Sequence, residues 1–133
     1  MPKDKKLLIL KKKHDQALEM FSRGQLPQSA KLLQYLLKQN ENAELWNDWA
    51  TVQFFRGVTP DAERGYMRAL ELEPSNQEAE INFGILLAAT GREVEATPLL
   101  QHGVKSLKGE PRKKIMKILD QCKRKATRAT SKS

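Results

Sequence analysis

Residues 43 to 76 read AELWNDWATVQFFRGVTPDAERGYMRALELEPSN, and they place small and large residues where a pair of antiparallel helices requires them. The same layout returns 34 residues later, at residues 77 to 110. The equivalent small residues are Ala50, Gly57 and Ala62 in the first copy and Gly84, Gly91 and Ala96 in the second. Internal repetition with this period is typical of a helical solenoid, which has no built-in reaction centre. The sequence therefore predicts a binding protein rather than an enzyme.

Local signals mark the ends of the helices in this unit. Gly57 is suited to end the first helix, and Thr59 is predicted to cap the second. Pro74 prevents the second helix from continuing, and Ser75 with Glu78 has the spacing of a capping box for the next one. These signals support an all-α interpretation.

The unit resembles the tetratricopeptide repeat. Two signature positions differ, because Trp49 replaces a leucine and Gln53 a tyrosine. The matching residues are Trp46, Ala50, Ala62, Tyr66, Ala69 and Pro74. A looser repeat covers residues 77–110, and a weaker one runs from about residue 10 to 42. The resemblance implies a right-handed α-solenoid of about three helix pairs.

A capping helix is predicted at residues 111–122, after the last repeat. Its apolar residues Ile115, Ile118, Leu119 and Cys122 recur at steps of three and four, as on an amphipathic helix. We interpret residues 1–122 as a single domain. Residues 123–133, which contain no apolar side chain larger than alanine, are predicted to form a basic disordered tail.

Charge is segregated along the chain, whose net charge is +8. Residues 1–13 sum to +5 and residues 105–133 to +9, whereas residues 14–104 sum to −6. The basic ends leave open an association with nucleic acid or an anionic surface. The amino-terminal KKLLILKKK is also compatible with binding at a membrane surface. We instead expect this segment to begin the first repeat helix, with its leucines packed inward and its lysines in solvent.

Several functional classes find no support in the sequence. The lone Cys122 offers no disulfide partner, and no segment has the length of a secretory h-region or a membrane span. His14 and His102 are far apart in sequence, and no phosphate loop, metal-ligand cluster or cofactor motif is present. We therefore expect a cytoplasmic protein without catalytic residues, metal or cofactor.

The resemblance also implies a ligand groove, lined by the first helix of each repeat. Carried onto this sequence, the groove residues are Asp15, Asn47, Asp48, Thr51, Phe54, Glu78, Asn82 and Ile85. Chaperone cofactors of this family hold carboxylates with a clamp of Lys, Asn and Arg. The corresponding residues here are His14, Leu18, Asp48, Glu78 and Asn82. The clamp is missing, and two acidic side chains in these positions would repel an acidic peptide terminus.

Asp15, Asp48 and Asn82 instead look like the Asn and Asp ladders of O-linked N-acetylglucosamine transferases. Such side chains can bond a peptide backbone, or they can merely keep a concave surface hydrated. We predict a non-enzymatic scaffold or adaptor that binds a peptide segment of a protein partner in this groove. Two alternatives stay open: association through the basic ends, and an accessory repeat region related to bacterial glycosyltransferases. The sequence does not define the oligomeric state.

Overall fold

The structure, a computed structural model, describes residues 3–131, with side chains to residue 128. This part of the chain is all-α and contains no strand, as predicted. The α-helices are α1 (Lys3–Ser22), α2 (Leu26–Gln39), α3 (Ala43–Phe55), α4 (Thr59–Leu72), α5 (Gln77–Ala89), α6 (Glu93–Gly103) and α7 (Gly109–Ser131). A 3-10 turn, Val104–Ser106, lies between α6 and α7. No helix among residues 3–131 combines the length and the apolar character needed to cross a membrane.

Three glycines explain why the first six helices form pairs. Gly24, Gly57 and Gly91 follow α1, α3 and α5, and their φ angles are +77°, +80° and +82°. This left-handed conformation is strained for any residue with a Cβ atom, and it turns the chain back for the second helix of the pair. The recurrence of one glycine turn confirms the predicted repeat layout.

The helix caps differ from the prediction by about one residue. Thr59 is not a cap but the first residue of α4, and Val58 before it provides no side-chain cap. Likewise, Ser75 and Glu78 do not form a capping box, because Asn76 caps α5 by accepting a hydrogen bond from the Ala79 N–H. Asparagine is among the strongest capping residues, and here it lies directly before the helix.

The chain divides into two compact units, Met1–Glu73 and Pro74–Ser133. The first contains α1 to α4, and the second contains α5 to α7. The single domain expected from the sequence stays a prediction.

In the first unit, α3 and α4 approach closely through small residues. Ala50 and Ala62 are fully buried, and a Cβ atom built on Gly65 would lie only 2.7 Å from the Cβ of Ala50 and 3.0 Å from Cε3 of Trp49. Real Cβ atoms do not approach so closely, so this crossing requires glycine. The backbone of α3 is thereby held in a fixed position, which in turn fixes the side chains on its opposite side.

The first turns of α1 carry apolar side chains that do not pack inward. Leu7 and Leu8 are 52% exposed and Ile9 is 41% exposed, so the predicted inward packing is wrong for them. Leu10 is the first of this run to contact the core. The physical reason is length, because α1 begins well before the stretch that the shorter α2 can cover.

In the second unit, α7 covers α5 and α6 with the predicted apolar stripe. Ile115, Leu119 and Cys122 are buried, and they cluster with Leu87 and Leu100. The helix does not end at Cys122, however, but continues to Ser131, so the tail predicted to be disordered is helical in the described residues. Lysine, arginine and alanine favour helix, and an already packed helix is extended without a new nucleation cost. Residues 132–133 lie outside the description.

Candidate functional site

One polar pair links α1 to α3 on the side of α3 away from α4. His14 Nε2 lies 2.7 Å from Asp48 Oδ2, and the two side chains are only 17% and 16% exposed. This hydrogen bond raises the pKa of His14 against the opposing effect of burial, and the charges of Asp48, Glu44 and Asp15 act in the same direction. His14 and Asp48 therefore form a partly buried, hydrogen-bonded pair of ionisable side chains between α1 and α3.

The other predicted groove residues of the first unit differ in their exposure to solvent. Asp15 is exposed, as predicted. Asn47 is only 2% exposed, so its prediction as a ligand-facing residue is wrong. The reason is helix periodicity, since Asn47 lies on the side of α3 that also presents Ala43 and Ala50 to the interior.

Thr51 is half-buried, and its hydroxyl already has partners inside the protein. Its Oγ1 donates to the carbonyl of Asn47 over 2.9 Å and lies 2.8 Å from the hydroxyl of Tyr66. Thr51 thus anchors α3 to α4. The Thr51 hydroxyl is therefore engaged within the protein, and the prediction of Thr51 as a groove residue stays a prediction.

An aromatic cluster joins α1 to α3 farther along the two helices. The rings of Phe21 and Phe55 meet edge to face with centroids 5.2 Å apart, and Phe54 lies 6.1 Å from Phe55. Phe54, the predicted groove residue, is half-buried, whereas Phe55 is 66% exposed. Together the three rings form a partly exposed apolar patch, which is the kind of surface feature that can serve as a contact point for a partner. Phe55 is not among the groove residues predicted from the sequence.

The polar pair and the aromatic pair are regularly spaced. Phe21 follows His14 by seven positions, and Phe55 follows Asp48 by seven. Seven residues correspond to about two turns, or about 10 Å along a helix axis. The α1–α3 face therefore carries a polar and an aromatic contact point about 10 Å apart.

The second unit carries the remaining predicted groove residues on α5. Glu78 is exposed, and Asn82 and Ile85 are half-buried. Glu78 and Asn82 line one concavity of about 290 Å³ with Ile81 and Leu107. These two polar side chains lie four residues apart and thus on one side of α5.

A second histidine pair lies in this unit and was also missed from the sequence. His102 Nδ1 is 2.7 Å from Glu80 Oε2, and the Glu80 side chain is only 9% exposed. The burial of Glu80 was not foreseen, although it occupies the repeat position that holds Trp46 in the middle repeat. A charged residue at a core position is the signal that a partner must be present.

Another cavity of the first unit lies on a different side of α3, between α2 and α4. It measures about 690 Å³. Its walls include Leu37, Trp46, Trp49, Met67 and Arg68. Trp49 Nε1 is buried without a hydrogen-bond partner in the described structure. The sequence identified these tryptophans only as positions of the repeat signature.

The sequence indicated no metal-ligand cluster, but folding assembles one combination of suitable groups. His14, Glu44 and Asp48 each offer one ligand atom, and these atoms lie within 4.8 Å of one another. Glu44 and Asp48 are one turn apart on α3, and His14 reaches them from α1.

No protein-family model matches the sequence, and no curated protein matches it. Solved structures do match in fold. The type III secretion chaperone SycD of Yersinia enterocolitica, solved with a peptide of the translocator YopD, is 14% identical, covers 89% of this chain and 95% of its own, and has a TM-score of 0.79. The TPR2B domain of yeast Sti1, solved in an Hsp70 complex, is 16% identical, covers 87% and 97%, and has a TM-score of 0.78. The Sgt2 TPR domain of Aspergillus fumigatus is 16% identical, covers 92% and 82%, and has a TM-score of 0.80.

Proposed function

Because this chain has the fold of tetratricopeptide-repeat domains, we propose that it is a non-enzymatic adaptor that binds a short extended peptide segment of a partner protein. SycD and Sti1 share the fold and were solved with a peptide and in an Hsp70 complex, respectively. The observation that carries the proposal is the exposed Phe55 ring, held against Phe21 on the face that also carries the His14–Asp48 pair. The expected cytoplasmic location belongs to the same proposal.

The spacing of the two contact points defines the kind of peptide. An extended chain advances by about 3.1 to 3.4 Å per residue, so about 10 Å corresponds to about three residues. We expect an apolar side chain that packs on Phe55 and, about three residues away, a polar or basic group that contacts Asp48. A peptide in polyproline conformation places residues with that spacing on one side.

The charge of the face argues against acidic peptide ends. In the first unit, the exposed Leu18 and the half-buried Asp48 both stand where the family's carboxylate clamp has Asn. In the second unit, Glu78 and Asn82 of α5 stand where the clamp has Lys and Arg. Carboxylates attract basic groups and can accept hydrogen bonds from backbone N–H groups. The proposed partner segment is therefore neutral or basic.

A peptide-display selection on the intact protein tests this function. Selected peptides should combine an apolar residue with a basic or polar one about three positions away, and Phe55→Ala should weaken their binding by about tenfold or more. Met67→Ala is the matched control, because Met67 is also an exposed apolar residue, at 47%, but lines the cavity between α2 and α4. Loss of binding with Met67→Ala and not with Phe55→Ala would move the site to that cavity.

A second candidate function follows from α7. Its exposed side carries eight basic residues between positions 109 and 128 against Glu110 and Asp120. Because the segment is helical, these charges are held on a single helix, whose basic surface could contact nucleic acid. Titration of a fluorescent DNA duplex at several salt concentrations, with and without residues 123–133, tests this candidate. A strong salt dependence that disappears on truncation would support it.

A further inference from the structure

The cluster on the α1–α3 face has the composition of a transition-metal site. His14 supplies an imidazole nitrogen, and Glu44 and Asp48 supply carboxylate oxygens. Zinc takes both ligand types, at about 2.0 to 2.2 Å. In a tetrahedral site with such bonds, neighbouring ligand atoms lie about 3.3 Å apart.

The geometry needs only a small adjustment to reach these distances. His14 Nε2 and Asp48 Oδ2, now 2.7 Å apart, must separate slightly to admit an ion between them. No two of the three ligand atoms are more than 4.8 Å apart. The widest of these distances must therefore shorten by at most about 1.5 Å to reach the tetrahedral ligand–ligand distance of about 3.3 Å. Glu44 is exposed, so its flexible side chain can make that movement without disturbing the core.

The surroundings favour a cation at this position. Asp15 adds a third carboxylate whose charge reaches His14. Lys11, which lines the small cavity beside His14, is the opposing positive charge, and the three carboxylates of Asp15, Glu44 and Asp48 outnumber it. Limited exposure of His14 and Asp48 weakens the competition from water. A divalent ion would neutralise the two ligand carboxylates, which lie one turn apart on α3 and otherwise repel each other.

The second histidine pair provides an internal comparison. His102 and Glu80 are also separated by 2.7 Å, but no third ligand group joins them within the described residues. Two ligands hold a metal ion weakly, whereas catalytic and ligand-exchanging zinc sites use three protein ligands and keep one position open.

We propose that His14, Glu44 and Asp48 bind a divalent transition-metal ion of the zinc type. The fourth coordination position faces solvent on the α1–α3 side, where water or a donor group of a partner can occupy it. This inference does not rest on the peptide-binding function, because its test uses the metal alone.

Isothermal titration of the chelator-treated full-length protein with ZnCl2 tests the proposal. We expect saturable one-to-one binding, weakened by about tenfold or more in His14→Gln, Asp48→Asn and Glu44→Gln. The substitutions are close in size to the native residues, and circular dichroism confirms that each variant is folded. His102→Gln is the matched control and should bind zinc like the parent protein.

Proton NMR locates the ion independently, since the chain contains two histidines. Zinc should shift the ring resonances of His14 and leave those of His102 in place, and Co²⁺ should give the visible absorption of a four-coordinate site. Binding that is unaffected by all three ligand variants, or that shifts only His102, would overturn the assignment. So would the absence of any heat or ring shift at millimolar zinc.

Discussion

His14 of α1 is hydrogen-bonded to Asp48 of α3, with Nε2 and Oδ2 2.7 Å apart. The bond ties the first helix of one repeat to the first helix of the next. It also orients the Asp48 carboxylate, because one of its two oxygens is held by the His14 ring. The proposed peptide contact and the proposed metal site both depend on this one relationship.

The first prediction concerns the titration of His14 in metal-free protein. Asp48→Asn should lower the pKa of His14, since it removes the hydrogen bond that raises this pKa most. Because the pKa of His14 is higher in the folded protein than in the unfolded chain, protonated His14 stabilises the folded state. This stabilisation is fully present below the unfolded pKa, about 6.5, and it is lost as the pH rises through the folded pKa. NMR titration of the imidazole measures the change. Asp15→Asn, which removes only a more distant charge, should shift the His14 pKa less.

Ala62→Leu should destabilise the protein by about 1 to 3 kcal/mol, because Ala62 is fully buried in the crossing of α3 and α4. Chemical denaturation measures the free energy of unfolding. Ala89→Leu is the matched control at an exposed helical alanine and should change it by less than about 0.5 kcal/mol. Equal effects of the two variants would contradict the tight crossing.

Removal of α7 should unfold or aggregate the second unit. Truncation after residue 109 exposes the apolar surface of Leu87 and Leu100, which Ile115 and Leu119 now cover. Truncation after residue 122 keeps these contacts and should leave helicity per residue and solubility intact. It removes the ion pair of Lys125 with Glu93, at 3.6 Å, which is a small loss because the long separation and the exposed lysine make this pair weak. Circular dichroism and gel filtration distinguish the two outcomes.

Asp48→Lys should weaken the binding of a basic display-selected peptide more than Asn82→Ala does. The first change reverses a charge in the proposed contact, whereas the second removes one neutral hydrogen bond, at a cost of about 0.5 to 1.5 kcal/mol. Fluorescence anisotropy with the labelled peptide gives both affinities. Asp120→Lys makes the same charge change on α7 and serves as the control. Parent-like affinity in the Asp48→Lys variant would remove the binding site from the α1–α3 face.

The sequence by itself determined the helices and the pairs that they form. The repeat spacing, the turn glycines Gly57 and Gly91, and the apolar stripe of α7 are local or periodic signals, and each appears in the structure where it was predicted. Such signals can be recognised in the sequence because a helix forms its backbone hydrogen bonds, and aligns its apolar side chains on one side, using only its own residues.

Only the tertiary structure decided which polar side chains meet. The pairing of His14 with Asp48, the burial of Asn47 and the pairing of Glu80 with His102 all depend on the rotation and axial offset between packed helices. One residue of offset turns a side chain by about 100°, so it moves a group from the solvent side of a helix to its interior. The spacing of a repeat does not fix that angle, because it is set by the packing of buried residues from several helices at once.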